Sequence, residues 1–305
     1  NLDSMQTSLL TERTRWLISK RSQSQNSSFL AVTKLRSIAT LNSRQASLSL
    51  VCILACLAVL YAATMPKQIT LEDAGLFQMT CHLGGISHPP GYPLFTALCQ
   101  QLVFGTSVII GNALSAFFAL GAVVLLYLVV VEICRERSTA LLAAFAYGLT
   151  QCLWSQAIII EVYSFAAFLF LLCWWQILRF VRTKRELDWF LLCFYGGLGL
   201  SNHWPLFVLS CVGFLPLFFR HHAIFAALLK AKTIFISFGL LLIGLSPYLL
   251  LLQNEPNIAM YGEVNRDNFL PYVLREYYSD VHLGVSHDDK LAYLLWLVPL
   301  TAQQL

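Results

Sequence analysis

The chain has 305 residues, 57% of them hydrophobic and only 12% charged, with a net charge of +4 and a mean hydropathy of +0.66. A soluble core of this length cannot hide so much apolar surface, so the composition excludes an ordinary soluble domain and describes an all-α polytopic membrane protein. No phosphate-binding glycine loop, zinc-protease motif or fixed-period repeat occurs in it, and no nucleic-acid partner is expected.

Residues 1–45 are basic and rich in Ser, Gln and Thr, with Arg13, Arg15, Lys20, Arg21, Lys34, Arg36 and Arg44. They read as a mobile cytoplasmic tail that fixes orientation and meets anionic lipid. A cleaved signal peptide is not expected, because the first apolar run begins late and is long enough to span. Apolar segments follow near 46–65, 112–134, 138–158, 159–180, 188–200, 203–219, 233–252 and 291–305. Hydrocarbon about 30 Å thick takes about 20 helical residues, so most can cross, while 188–200 and 203–219 are short for it. Crossing segments must be helices, since each backbone amide needs a partner within its own segment. The expectation is a transmembrane domain over 46–305 with about eight spans, the last of them cut short, and outer loops at 66–111 and 253–290.

Segment 92–110 is ambiguous, and charge decides it. If it does not cross, all of the 20 Lys and Arg except Lys67, Arg266, Arg275 and Lys290 fall on the side of the N-terminus. If it does cross, they divide evenly. Positive-inside bias therefore predicts that 92–110 lies as a juxtamembrane or re-entrant helix. Most Asp and Glu go to the opposite, outer side, among them Glu72, Asp73, Glu161, Glu255, Glu263, Asp267 and Glu276.

Of the 9 cysteines, Cys52, Cys56, Cys99, Cys134, Cys152, Cys173, Cys193 and Cys211 sit in or beside apolar helices and read as small buried hydrophobes. Cys81 lies in the first outer loop beside His82, and no second Cys or His at ligand spacing makes that pair a metal site.

Four polar clusters share the outer side. Glu72-Asp73-Ala74-Gly75 opens an amphipathic helix through Leu76, Met79 and Leu83. In His88-Pro89-Pro90-Gly91-Tyr92-Pro93, prolines stop one helix and start another. Glu161-Val162-Tyr163-Ser164 and Ser201-Asn202-His203-Trp204-Pro205 each fill a tight turn between spans. Taken singly, each has a structural reading: Asp73 as a helix cap, Glu161 as the end of a membrane helix, His203 as partner to backbone freed by Pro205. Their convergence points to a polar cavity instead, since ionisable groups at membrane depth are costly and commonly line one. The loop 253–290 adds Arg266, Arg275, Glu276, Tyr277 and Tyr278 to that face.

Asp73-Ala74-Gly75, with Leu83-Gly84-Gly85-Ile86-Ser87-His88-Pro89-Pro90-Gly91-Tyr92-Pro93-Leu94-Phe95, resembles the signature of membrane glycosyltransferases of the transmembrane protein 260 family. The likeness continues through Asn112 to Ala116, Glu161 to Phe165, Gly199 to His203, Ser246-Pro247-Tyr248 and Phe269 to Tyr278, covering about residues 65–285. Where the family usually shows Asp-Ser-Gly-Glu, this chain has Asp73-Ala74-Gly75-Leu76, keeping the first carboxylate and lacking the second.

The resemblance implies a helix bundle of the GT-C type, with juxtamembrane helices in the first outer loop. It implies transfer of a sugar, mannose in the animal relative, from a polyprenyl-phosphate donor to an acceptor hydroxyl on a protein or glycan. The reaction would be an inverting displacement on the extracytoplasmic or luminal face of a bacterial inner membrane or the endoplasmic reticulum. Asp73 is then the catalytic base, Arg275 the donor-phosphate ligand with His88 and His203 behind it, and Glu161 and Tyr163 position sugar or acceptor. The partners are the lipid-linked donor, the acceptor and the bilayer. The residues point to no cofactor and leave a need for divalent metal open. The competing readings are a solute transporter or lipid flippase, which wants charges near the midplane and related halves, and a non-catalytic scaffold with the family fold.

Overall fold

The structure, a computed structural model, describes residues 41–70, 73–103, 107–252, 256–259 and 261–278. The tail 1–40, Glu72 and the apolar segment 291–305 lie outside these residues. Among the described residues the protein is all helix, with one isolated bridge between Ile86 and Ala259. By length and composition, 5 helical stretches among the described residues can cross a membrane: Ser43–Thr64, Val108–Cys134, Val162–Thr183, Glu186–Arg220 and Ala231–Leu252. The protein is polytopic, as the composition requires.

Helix α1 (Ser43–Thr64) starts at a capping box in which Asn42 and Gln45 exchange side-chain and backbone hydrogen bonds. The connection from α1 to the next long helix then holds two short helices, α2 (Ala74–Leu83) and α3 (Pro93–Leu102). At 10 residues, α3 is only about 15 Å long, far short of a crossing. A helix of that length cannot span, in keeping with the charge argument against a crossing by 92–110.

After α4 (Val108–Cys134), the expected span at 138–158 is broken in two: α5 (Arg137–Leu149) and α6 (Gln151–Ala157), parted at Thr150, whose hydroxyl caps α6. The pair still runs alongside α1 from end to end. Arg137 donates to the Leu41 carbonyl, the Tyr61 hydroxyl to Gly148, and Trp154 Nε1 to Thr64 Oγ1 at 2.9 Å.

Next come α7 (Val162–Thr183) and α8 (Glu186–Cys211), which carries a non-helical residue at His203 (φ −148°, ψ 80°) two residues before Pro205. The chain reverses there. The Phe207 ring lies on Gly199, where an added Cβ would come within 2.2 Å of it. Beyond the bend Phe207 packs on Phe170, Phe214 on Trp174 and Phe225 on Phe180, so the second arm runs back along α7 in the same direction as α7. The two short segments of the sequence reading are thus the arms of one hairpin. After α9 (Leu215–Arg220) and α10 (His222–Ala226), α11 (Ala231–Leu245) packs on the first arm of α8. Gly197 meets Gly244 there so closely that a Cβ on Gly197 would lie 2.3 Å from the Leu241 carbonyl oxygen. A 3₁₀ stretch (Ser246–Leu252) and α12 (Phe269–Val273) close the described chain over the end that carries α2 and α3.

Two expectations are corrected. Cys99 is not a lone hydrophobe: it forms a buried disulfide with Cys81, Cα–Cα 5.2 Å, joining α3 to α2. Cys81 therefore offers no thiolate to a metal. Cys52, Cys56, Cys134 and Cys152 are exposed on helix surfaces rather than buried. In α2 the buried face is Ala74, Phe77, Thr80 and Cys81, while Met79 and Leu83 are exposed. The apolar stripe that the sequence marks at Met79 and Leu83 is therefore on the side turned away from the bundle.

Candidate functional site

One end of the bundle gathers residues from five separate stretches. Its base is the turn 84–92. Gly85 (φ 133°) allows the strand-like segment at 256–259 to come so near that a Cβ would sit 2.2 Å from the Ile258 carbonyl oxygen. The Ile86 N–H donates to that carbonyl at 2.7 Å, Gln100 Nε2 donates to Gly85 O, and the buried Tyr272 hydroxyl donates to Ser87 O. Tyr92 follows in the left-handed region (φ 43°), which costs a side-chain-bearing residue on the order of 1–2 kcal/mol. It is held there by packing against Phe77, His88 and His203, with ring centroids 5.5, 5.0 and 5.4 Å away.

His88, buried by this turn, is the centre of the cluster. Its Nε2 lies 3.1 Å from Asp73 Oδ2, and its Nδ1 lies 3.2 Å from the Pro89 carbonyl oxygen and 3.4 Å from the Tyr278 hydroxyl. Asp73 occupies the N-cap position of α2, yet its side chain makes no capping hydrogen bond, and it stays 45% exposed. An aspartate at that position ordinarily gives its oxygens to the first-turn amides. Here the carboxylate is turned to the imidazole and to open space, so the capping reading of Asp73 fails.

His203 and Tyr163 complete one side, with ring centroids 5.6 Å apart. His203 Nδ1 accepts the Leu206 N–H at 3.2 Å, capping the returning arm of α8 and placing the ring proton on Nε2. The neighbouring Asn202 donates to the Val162 carbonyl, tying the bend to the start of α7. On the other side, Arg275 lays its guanidinium over the Tyr278 ring at 4.9 Å. No ion pair between Arg275 and a carboxylate occurs among the described residues.

Electrostatics shows how close these groups stand. Burial pushes the Tyr92 phenol well above its ordinary value; Arg275 draws it back, while Tyr163, Asp73 and Tyr278 push it further. Burial also raises Tyr278, with Tyr261 and Asp73 adding to the rise and Arg275 opposing it.

Asp73, His88, Tyr163, His203 and Arg275 are therefore brought together. Glu161 is placed differently: it is buried at the N-cap of α7, its carboxylate accepts the Val162 N–H, and Ser115 exchanges hydrogen bonds with its backbone. The sequence reading did not single out Tyr92 or Tyr272, and it gave Tyr278 no partner. Tyr92 was legible as the aromatic inside the proline-rich turn. The reach of Tyr272 and Tyr278 back to 87–88 is a contact across more than 180 residues, which no local pattern announces.

Tyr163 also borders a groove of about 590 Å³ that runs down α6, α7 and the returning arm of α8, past Gln156, Ala166, Ala167, Phe170 and Phe207. Its walls are mostly apolar. Among the described residues no three His, Cys, Asp or Glu side chains gather as metal ligands do.

Residues 73–225 match the family described as Protein O-mannosyl-transferase TMEM260 N-terminal domain. The chain is 27% identical over 253 residues to Protein O-mannosyl-transferase tmem260 of Dictyostelium discoideum, covering 74% of this chain and 30% of that protein. It is 30% identical over 118 residues to Protein O-mannosyl-transferase TMEM260 of Mus musculus, covering 37% of this chain and 17% of that one. The chain spans less than a third of the length of either relative. No solved structure matches it.

Proposed function

The chain belongs to the family of the protein O-mannosyl-transferase TMEM260 N-terminal domain, and from that premise we propose that it forms the membrane-embedded catalytic part of a glycosyltransferase, one that moves mannose from a polyprenyl-phosphate donor to a protein hydroxyl. The observation that carries this reading is the carboxylate of Asp73, half exposed at the rim of the bundle, making no capping bond, and backed by a buried imidazole at 3.1 Å.

The chemistry follows from what those groups can do. An acceptor hydroxyl attacks the anomeric carbon as the carbon–oxygen bond to the lipid phosphate breaks, which inverts the configuration. The hydroxyl proton passes to the Asp73 carboxylate, and the bond electrons leave with the phosphate. The leaving phosphate is stable as an anion, so it asks for positive charge and hydrogen-bond donors rather than an acid. Arg275, in no ion pair among the described residues, and the His203 Nε2–H are placed to serve it. Tyr163 stands where the polar cluster meets the groove, so a sugar held beside it leaves the polyprenyl chain to lie along Ala166, Ala167 and Phe170.

Two observations support an outward or luminal face for the site. Lys and Arg concentrate at the other end of the bundle. The Cys81–Cys99 disulfide belongs to the same loop as Asp73 and His88, and such bonds persist in oxidising compartments. The GT-C architecture is part of the same proposal, supported by the short helices of the first outer loop and the acidic residue that opens one of them.

The test is direct. Purified protein in lipid nanodiscs is given radiolabelled polyprenyl-phosphate mannose and a set of folded protein acceptors. Transfer of label to a hydroxyl side chain is expected; absence of transfer to any acceptor, in protein that binds the donor, would favour the scaffold.

A further inference from the structure

We propose that His88 is not a ligand of the donor phosphate but a positioning residue that holds Asp73 in its reactive orientation, so that the two act as one unit. This rests on the transferase reading above. A phosphate ligand must present a donor to open space, and both ring nitrogens of His88 face protein groups instead. Its side chain is 8% exposed, Nδ1 faces the Pro89 carbonyl and the Tyr278 hydroxyl, and Nε2 faces Asp73 at 3.1 Å. An anion approaching Nε2 would have to displace a carboxylate or lie against it.

The ring is fixed on every side. Phe77 and Tyr92 pack on it at 6.0 and 5.0 Å, and the turn that carries it is pinned by the Tyr272 hydroxyl on Ser87 and by Ile258 on Ile86. Asp73 by contrast is half exposed and uncapped, with no other hydrogen bond or ion pair among the described residues. A packed imidazole beside an uncapped, half-exposed carboxylate sets the direction in which the carboxylate points. The contact is close but off the line of a good hydrogen bond, which leaves the buried Nε2 without a full partner. A small turn of the Asp73 side chain completes it. That is a reason for the carboxylate to settle in one rotamer, with its other oxygen turned toward the incoming hydroxyl.

The test compares His88→Phe, His88→Gln, Asp73→Asn and the double variant Asp73→Asn/His88→Phe by turnover and donor KM. His88→Phe keeps the ring volume and loses the nitrogen. It should lower turnover by about 10-fold or more and leave donor KM within about twofold, the pattern of an interaction realised in the transition state. His88→Gln, which can still donate toward Asp73, should recover most of the loss. The double variant should be no slower than Asp73→Asn alone, because residues that act as a unit are not additive. A raised donor KM with normal turnover in His88→Phe, or fully additive losses, would overturn the proposal.

Carbon–nitrogen dipolar recoupling between labelled Asp carboxyl and labelled His ring atoms measures the pairing without activity. Among the described residues no other His lies at ion-pair distance from an Asp. A contact that vanishes in His88→Phe supports the pairing, and no contact in the wild-type chain overturns it. Should the wild-type chain transfer no sugar, the transferase reading falls while this distance still decides whether His88 holds Asp73.

Discussion

Asp73 and His203 each had a structural reading from sequence, and the structure treats the two differently. The cap reading of Asp73 fails, because its carboxylate bonds to no first-turn amide. His203 does serve the backbone, yet by accepting the Leu206 N–H rather than by donating to a carbonyl. Arg275 makes no ion pair with the adjacent Glu276 or any other carboxylate among the described residues; its guanidinium lies on Tyr278. Arg275→Ala should therefore raise donor KM by about 10-fold or more, while Arg275→Lys keeps the charge, loses the planar fork and its stacking, and should fall between. Steady-state kinetics over donor concentration checks this, and an unchanged KM in Arg275→Ala removes it from the site. A different acid works at the other end of the bundle. Hydrogen bonds from Thr139 and then Ser138 hold the Glu136 carboxyl at about 2, below its ordinary 4.5. A carboxyl lowered on folding stabilises the fold above the ordinary value, and that contribution is lost as pH falls from about 4.5 through about 2. Thermal unfolding in detergent should show this acid-side loss in the wild type and a smaller one in Glu136→Gln.

At the scale of elements, what could be read in the sequence was hydrophobic length and the prolines that punctuate it. The short helix after Pro93 and the turn at Pro205 were legible because proline and charge act locally. The exposed side of α2 was not, since residues at a bilayer surface have two apolar neighbours to choose between, protein and lipid. The pairing of Cys81 with Cys99 was missed because Cys99 lies in an apolar stretch, where a cysteine reads as a small buried hydrophobe. That bond staples the helix opened by Asp73 to the helix that follows His88. Closing a loop with 18 residues of separation is worth about 3 kcal/mol in the chain-entropy account. Cys81→Ser/Cys99→Ser should therefore unfold at lower temperature and lose transfer activity, and peptide mapping without reductant should recover the 81–99 link. Free thiols at both positions in protein from its native membrane would contradict the structure. Helix α11 offers a second test. A Cβ on Gly244 would come within 2.4 Å of the Phe194 carbonyl oxygen, a backbone atom that cannot swing aside. Gly244→Ala should destabilise by about 1–3 kcal/mol, and it should disturb the site through Tyr248, whose hydroxyl holds the Leu200 carbonyl just before the bend.

For the whole molecule, the contacts reproduce the alternation of direction that charge bias predicts: α1 and α5–α6 run together, α7 and the returning arm of α8 run together, and Asp73, Tyr163 and His203 meet at one end. A cysteine placed by Lys184→Cys, in protein stripped of its free cysteines, should resist impermeant reagents in intact cells, and labelling there would reverse the orientation. What remained hidden from the sequence was long-range closure, the return of Tyr272 and Tyr278 over the turn at 87–88, because contacts of that separation leave no periodic trace. The central claim is that Asp73 is the base of a sugar transfer, and Asp73→Asn tests it most directly. The amide keeps the shape and cannot take the acceptor proton, so turnover should fall by about 10²–10⁴-fold while donor affinity changes by no more than about twofold. Near-normal transfer by Asp73→Asn, at wild-type expression and membrane insertion, would contradict the account.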